Sequence, residues 1–360
     1  MTRIAILGYG TIGKGVAKMI DLLKDKYDLK LAKVLDLPSK KDELGDLLAA
    51  NIDEIANDES IDIVVEVLGG NDFAYMCTKK CLLAKKSVVT ANKEVVSNNI
   101  KELYKLAQEN GVNYLFEASV GGGIPLIRPL IENIKINDIT SICGILNGTT
   151  NYMLTKMQED GLTFAEALKL AQVNGFAEAD PSADLKGLDM VRKISILTNI
   201  AYKTYIDPKN VYHYGIENVT KDILADIKSR GYVLRFVAQS SLVGNDVTVR
   251  VEPTLVKPTH PFASVCNEFN SCMLDCTTND KILFYGKGAG SIPTATAVAG
   301  DIIQIVENKA FYEYNPVNDY EVNKLSNNGN MYYVVGDTSD IKPDLSDEEL
   351  SKYKFYARIF

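Results

Sequence analysis

The chain has 360 residues, 46% of them apolar, which is enough to fill two hydrophobic cores rather than one. A formal net charge of −8, with no lysine–arginine run interleaved with aromatics, argues against nucleic acid or an anionic membrane as partner and leaves a small molecule as the expected ligand. Six cysteines (Cys77, Cys81, Cys143, Cys266, Cys272 and Cys276) form no CxxC pair and have only His213 and His260 as nitrogen companions; this argues against zinc and disulfides and predicts reduced, mostly buried thiols. Met1-Thr2-Arg3 passes straight into Ile4-Ala5-Ile6-Leu7 without a leader, and no apolar run is long enough to span a bilayer, so a cytoplasmic protein with no membrane partner is expected.

The strand predicted over 4–7 runs into Gly8-Tyr9-Gly10-Thr11-Ile12-Gly13, and an amphipathic helix follows through Val16, Met19, Ile20 and Leu23. Strand, glycine turn and helix in that order aim unpaired N–H groups and the positive end of a helix dipole at one point, which suits a pyrophosphate; the glycines let the backbone approach it closely. A second apolar run over 29–35 ends at Asp36, 23 residues past Gly13, where a ribose-binding acid is expected. Gly8, Gly10, Thr11, Ile12, Gly13 and Asp36 are therefore predicted to bind a dinucleotide. Asp36 favours NAD, whereas Lys40 and Lys41 offer charge to a 2′-phosphate, so the residues leave NAD and NADP both open.

Strand-like runs at 61–67, 87–90 and 112–116 alternate with helical stretches at 75–84 and 99–110. The periodicity predicts an α/β fold, a Rossmann-type doubly wound parallel sheet. Ligands of such sheets gather at the carboxyl ends of the strands, which here carry Gly69 and Gly70, Thr90-Ala91-Asn92-Lys93, and the segment 117–123. Lys93 is the fixed positive charge among these ends, suited to a small anion or a hydroxyl in need of polarising; the plainer reading is a solvated loop lysine.

A helix to Asn133 and a strand over 139–146 come next, the strand ending in Asn147-Gly148-Thr149-Thr150-Asn151, where Thr149 or Thr150 is expected to cap a helix. Strand signals at 247–256, 272–277 and 282–285, with helices at 164–174, 184–202 and 223–234, predict a second α+β domain on a mixed sheet. The run Gly286-Lys287-Gly288-Ala289-Gly290 opens a helix over 294–306, and its glycine-rich start, Gly288 included, either faces the cofactor or is a flexible hairpin exit. The expected organisation is a dinucleotide-binding domain over 1–135 completed by a helix over 290–310, a substrate and dimerisation domain over 136–289, and a tail over 311–360. The tail is rich in Asn, Asp and Tyr, and is expected to pack loosely and to end in a strand over 353–360.

The segment 175–193 holds Glu178, Asp180, Asp184 and Asp189 together with Lys193, and no histidine or cysteine. Asp189, Lys193, Ile196 and Ile200 share one helical stripe, and Leu188, Val191, Ile194, Leu197 and Ala201 make the other sides apolar, the mark of a buried helix. An enclosed lysine loses solvation of its charged form while a neighbouring aspartate pulls the other way and orients it, so it can carry a proton near neutral pH. The plainer reading is an ordinary i,i+4 ion pair worth roughly 0.2–0.5 kcal/mol.

Taken together, residues 8–13, Val64-Val65-Glu66-Val67-Leu68-Gly69-Gly70, Thr90-Ala91-Asn92-Lys93, residues 117–125, Ile145-Leu146-Asn147-Gly148-Thr149-Thr150-Asn151-Tyr152 and residues 178–193 resemble the homoserine dehydrogenase family, in the family's order and across about 1–310. The resemblance implies NAD(P)-dependent interconversion of L-homoserine and L-aspartate 4-semialdehyde, in threonine and methionine biosynthesis. It implies that Lys193 is the acid/base, with Asp189 and Lys93 beside it; an exchange of roles between the two lysines stays open. By the same likeness Glu178 holds the substrate ammonium with help from Asp184, Gly175 lies against substrate and nicotinamide, and Gly69, Thr90 and Lys93 join the cofactor residues. A monovalent cation, sodium by its hard oxygen donors, is implied at Glu117, Val120, Gly122 and Ile124, largely through carbonyls. Pairing through the second-domain sheet, as homodimer or homotetramer, is implied as well. The end of the chain resembles the first strand of the family's regulatory ACT module cut short, which puts feedback by threonine in doubt.

Two rival functions compete with this reading. Another two-domain NAD(P)-dependent amino-acid or semialdehyde dehydrogenase, such as one that forms a thioester, needs a cysteine activated by histidine, and none of the six has such a neighbour in sequence. A dinucleotide-sensing protein without turnover has no use for the acid-rich segment or for Lys93.

Overall fold

In the computed structural model, which describes residues 1–308, 314, 316–323 and 329–360, the apolar runs of the N-terminal third become five parallel strands. These are β1 (Thr2–Leu7), β2 (Leu29–Leu35), β3 (Ile63–Glu66), β4 (Ser87–Thr90) and β5 (Tyr114–Leu115), in the order β2-β1-β3-β4-β5. Strand order reverses beside β1, so the glycine turn that follows it sits at the switch point where open α/β sheets bind ligands. Ile4, Ala5, Ile6, Leu7, Val64, Val65, Val88 and Val89 are all fully buried. Near-continuous apolar strands of this kind need helices on both faces. Helix Thr11–Tyr27 packs closely on helix Ser291–Val306: a methyl added at Gly15 would stand 3.1 Å from the Ala295 side chain.

The chain divides into two units. One comprises Met1–Lys135 with Ala289–Val317, the other Ile136–Gly288 with Asn318–Phe360. The second is built on a mixed sheet whose strands run, edge to edge, Asp280–Lys287, Phe269–Cys276, Ile139–Ile145, Val233–Val243, Asp246–Val256, Phe355–Ile359, Met331–Val335 and Ser339–Pro343. The short strands Tyr212–His213 and Glu321–Val322 also pair with Asp246–Val256. Helices Gly148–Glu159, Phe164–Val173 and Leu188–Ala201 belong to this unit.

The structure departs from three expectations. The helix predicted over 223–234 stops at Ser229, Gly231 turns the chain at φ +81°, and the eleven-residue strand Val233–Val243 follows. That strand escaped the sequence because its apolar run continues the helix's own periodicity. The helix predicted over 184–202 is two pieces, Ser182–Leu185 and Leu188–Ala201, parted at Gly187 (φ +87°). A methyl there would stand 2.9 Å from Phe236 and from Val251, so the break fits the helix onto the sheet. Third, residues 329–360 pack tightly, with Tyr332, Tyr333, Phe355 and Tyr356 buried in paired strands. Arg250, itself buried, ties this segment in by bonds to Glu252 and Asp347. Five of the six cysteines are buried and all are free thiols. Among the described residues, no helix is long and apolar enough to cross a membrane.

Candidate active site

In the first unit the glycine turn is held by contacts that only glycines permit. Gly8 takes φ +96°, and a methyl on it would meet the Val67 carbonyl at 2.8 Å; a methyl on Gly13 would run into the Gly8 carbonyl. Gly10 is exposed, with nothing within 4 Å of its missing side chain. It caps helix Thr11–Tyr27 without a side-chain bond, and the first turn, with Thr11 and Ile12, carries no acid. The N–H groups of that turn are thus presented to an anion. The Asp36 carboxylate at the end of β2 accepts from the Tyr9 N–H (2.5 Å) and its neighbour Leu37 N–H (2.6 Å), which pins the turn against the strand end. Lys40 pairs with Glu43 at 3.2 Å, and Lys41 donates to the Gly45 carbonyl at 3.0 Å.

The ends of β3 and β4 are joined by a side chain the sequence reading passed over. Glu66, fully buried, accepts from the Leu68 N–H (2.8 Å), the Thr90 hydroxyl (2.6 Å) and the Asn92 amide (3.4 Å). Burial pushes its carboxyl up to about 7 against the pull of those donors. Asn92 also holds the Gly70 carbonyl at 2.8 Å, beside exposed Gly69, and its oxygen caps helix Lys93–Glu109 through the N–H groups of Glu94 and Val95. Lys93 is therefore the first residue of a capped helix, half-buried, and not a loop lysine.

After β5 the carboxylate of Glu117 turns inward and accepts from three successive N–H groups, those of Leu126 (2.6 Å), Ile127 (2.8 Å) and Arg128 (2.8 Å), at the start of helix Ile127–Asn133. Its backbone N–H donates to buried Asp301 on helix Ser291–Val306 at 2.9 Å. Gly121 and Gly122, both at positive φ, bend the loop that carries Val120 and Ile124, all buried. A cation here would draw on the carbonyls of Glu117, Val120, Gly122 and Ile124, since the carboxylate is spent on the helix start; that donor set suits a hard monovalent ion.

The second unit gathers the acid and lysine residues of the stretch 175–193 around Asn147. Asp189 and Lys193 are buried, 3% and 8% exposed, on helix Leu188–Ala201. The Lys193 amine donates to Asp189 at 2.8 Å and to the Leu146 carbonyl at 2.7 Å. The amide of Asn147 donates to Asp184 (2.8 Å) and Asp189 (2.9 Å), while its oxygen accepts from the Thr150 N–H (2.9 Å). Asn147, rather than Thr149 or Thr150, is thus the helix cap. Gly175 (φ +75°) and Glu178 are exposed on the loop after helix Phe164–Val173, whose end they follow. Thr149 anchors that loop through the Phe176 carbonyl at 2.5 Å. Gly288 lies against the Asn270 side chain, which leaves it no room for a side chain of its own.

Sequence reasoning missed Glu66, Asn147, Asp301 and Gly15. The first two stand inside quoted motifs, and the available signal was their position at a strand's carboxyl end. Asp301 sits in an apolar helix with nothing local to mark it.

A glycine-turn nucleotide sheet, together with a unit that buries a carboxylate-steered lysine, defines a dinucleotide-dependent oxidoreductase. The family described as "Homoserine dehydrogenase, NAD binding domain" matches residues 8–117, and "Homoserine dehydrogenase" matches 125–303. The chain is 38% identical over 316 residues to the homoserine dehydrogenase of Bacillus subtilis, covering 85% of this chain and 73% of that one. Its fold is similar to a homoserine dehydrogenase from Thiobacillus denitrificans, with a TM-score of 0.86, 30% identity, and 92% and 82% of the two chains covered. It is also similar to a hyperthermophilic archaeal homoserine dehydrogenase in complex with NADPH, at a TM-score of 0.74 and 27% identity over 87% of this chain and 99% of that one. The chain belongs to the homoserine dehydrogenase family and is an NAD(P)-dependent oxidoreductase.

Proposed function

We propose that this chain interconverts L-homoserine and L-aspartate 4-semialdehyde with NAD or NADP, on the path to threonine and methionine. The observation that carries this reading is the buried Lys193 amine, held between the Asp189 carboxylate and the Leu146 carbonyl. Bound nicotinamide supplies the hydride acceptor. The residues of the chain handle the rest. As hydride leaves the primary alcohol carbon, the hydroxyl gives its proton to the Lys193 amine, and Asp189 stabilises the ammonium that forms. Lys93, at the start of its helix, is the cation for the developing alkoxide. Glu178, assisted by Asp184, holds the substrate ammonium, and Gly175 keeps the space beside it clear of a side chain. Gly8, Gly10, Thr11, Ile12, Gly13, Asp36, Gly69 and Thr90 hold the nucleotide, with Gly288 near its helix entrance. The carbonyls of Glu117, Val120, Gly122 and Ile124 would hold sodium, whose charge would brace the loop after β5.

The cysteines support this reading over a thioester-forming dehydrogenase. Burial pushes all six thiols up, Cys77 to about 11 and Cys81 and Cys143 to about 12, the reverse of what a thiolate nucleophile needs. A homodimer paired through the second sheet is part of the proposal; Leu283 and Tyr285, exposed on the edge strand Asp280–Lys287, support it, and sedimentation tests it. The deciding assay follows reduced nicotinamide by absorbance with L-homoserine and each nucleotide. Turnover with at least one is expected, and none with either would overturn the assignment in favour of a sensor.

A further inference from the structure

We propose that Glu66 is a positioning residue for the reaction: one buried carboxyl that ties the nucleotide-facing ends of β3 and β4 together and fixes the helix that carries Lys93. The inference rests on the proposed role of Lys93. The donors converge on Glu66 from three places. One oxygen takes the Leu68 N–H and the Asn92 amide, and the other takes the Thr90 hydroxyl. Thr90 in turn accepts from the Asn92 N–H at 2.9 Å while its own hydroxyl donates to Glu66. The chain of bonds therefore runs from Glu66 through Thr90 and Asn92 to the first turn of helix Lys93–Glu109. A second branch runs through Leu68 and the Asn92 amide to the Gly70 carbonyl. Moving the carboxyl moves both the strand-end loop and the lysine.

Structural economy does not explain an acid at this place. No lysine or arginine of the described residues lies within ion-pair distance of Glu66, and burying an uncompensated carboxyl is costly. The titratable groups that face it are Cys77 on helix Asp72–Leu83 and Tyr114 on β5, both neutral, pushed up first by burial and further by the charge of Glu66. What the ionised carboxylate, formed as pH rises through about 7, supplies and a neutral amide cannot is acceptance at both oxygens. All three donors need that. Glutamine at this position would either turn its N–H₂ toward Leu68 and Asn92, losing that branch, or turn it toward Thr90, whose hydroxyl would then accept and leave its own proton without this partner.

The test is a double-mutant cycle in the full chain, with E66Q and K93A alone and combined. In the wild-type background E66Q is expected to lower kcat about tenfold and weaken nucleotide binding several-fold; in the K93A background its effect on kcat should shrink below about threefold. A merely structural role would cost the same in both backgrounds, and that result overturns the proposal. So does wild-type kcat in E66Q. Should E66Q not fold, E66D keeps the acid but withdraws it by a methylene, and an unchanged kcat there overturns the proposal equally. If the wild type showed no turnover with homoserine, the proposed function would fall separately; nucleotide titration of E66Q then still decides on Glu66, since an affinity equal to wild type would refute it.

Discussion

The side-chain amide of Asn147 donates to Asp189 on the same carboxylate oxygen that receives the Lys193 amine, at 2.9 and 2.8 Å. Two donors on one oxygen fix the carboxylate's rotation, and with it the direction in which the amine is steered. Asn147 simultaneously caps helix Gly148–Glu159 and reaches Asp184, so helix start and acid pair are set by one residue. Asn147→Ala is expected to cost about 1 kcal/mol of stability through the lost cap. It should also lower kcat by about 10 to 100-fold through loosened Asp189, with a smaller change in nucleotide affinity. Steady-state kinetics beside urea unfolding would check this; a stability loss with unchanged kcat would separate the cap from the chemistry.

The Asp189–Lys193 pair allows stability and catalysis to be told apart. Removing one partner leaves the other charge buried, a cost of about 3–5 kcal/mol, whereas replacing both by neutral groups of similar volume is close to neutral. Lys193→Met alone should therefore destabilise strongly, and Lys193→Met with Asp189→Asn should recover most of the loss. Turnover should be absent in both, while the nucleotide still binds. Restored turnover in the double variant would remove the amine from the mechanism.

How far the sequence was legible depends on whether the signal was local. The glycine turn and the parallel strands show plainly because each is a short pattern with its own steric reason. The enclosure of Asp189 and Lys193 followed from a helix apolar on nearly every side, and both are buried. Strand Val233–Val243 did not show, since the boundary depends on Gly231 and on pairing with Asp246–Val256, which periodicity does not contain. The packing of residues 329–360 was hidden for a related reason. A polar, tyrosine-rich composition suggests a loose tail, yet the tyrosines stack and bond around Arg250, with Tyr212 under its guanidinium at 3.9 Å. The bond from the Glu117 N–H to Asp301 spans 184 residues, and no local pattern carries such a pairing.

Glu117 offers a check on the loop after β5. Its carboxylate accepts three backbone N–H groups with both oxygens, and Arg128 lies 3.6 Å away. Glu117→Gln keeps the volume but removes the charge and turns an N–H₂ toward at least one of those donors. At about 1.5–3 kcal/mol for a charged hydrogen bond lost in the interior, the variant should unfold at clearly lower urea. Activity at saturating sodium should fall less than activity at low sodium, if the carbonyls of this loop hold the ion. Sodium titration of kcat reads this directly, and equal losses at both concentrations would leave the loop a purely structural one.

The raised carboxyl of Glu66 makes a prediction about pH whose sign is fixed by linkage. Its folded value stands at about 7 against an ordinary 4.5, with burial as the largest cause, so the folded chain holds a proton that the unfolded chain has released across that window. Stability from this group is complete below the ordinary value and is lost as pH rises through about 7. The full loss is of the order of 3 kcal/mol. Glu66→Gln cannot titrate, so its unfolding free energy relative to wild type should improve between about pH 5 and about pH 8, whatever constant offset its altered hydrogen bonds introduce. Urea unfolding of the two proteins at both pH values measures this difference of differences. A gap that stays flat would mean that Glu66 is already ionised at pH 5, with its three donors outweighing burial. A gap that closes in the opposite sense would place another titrating group in control of this region.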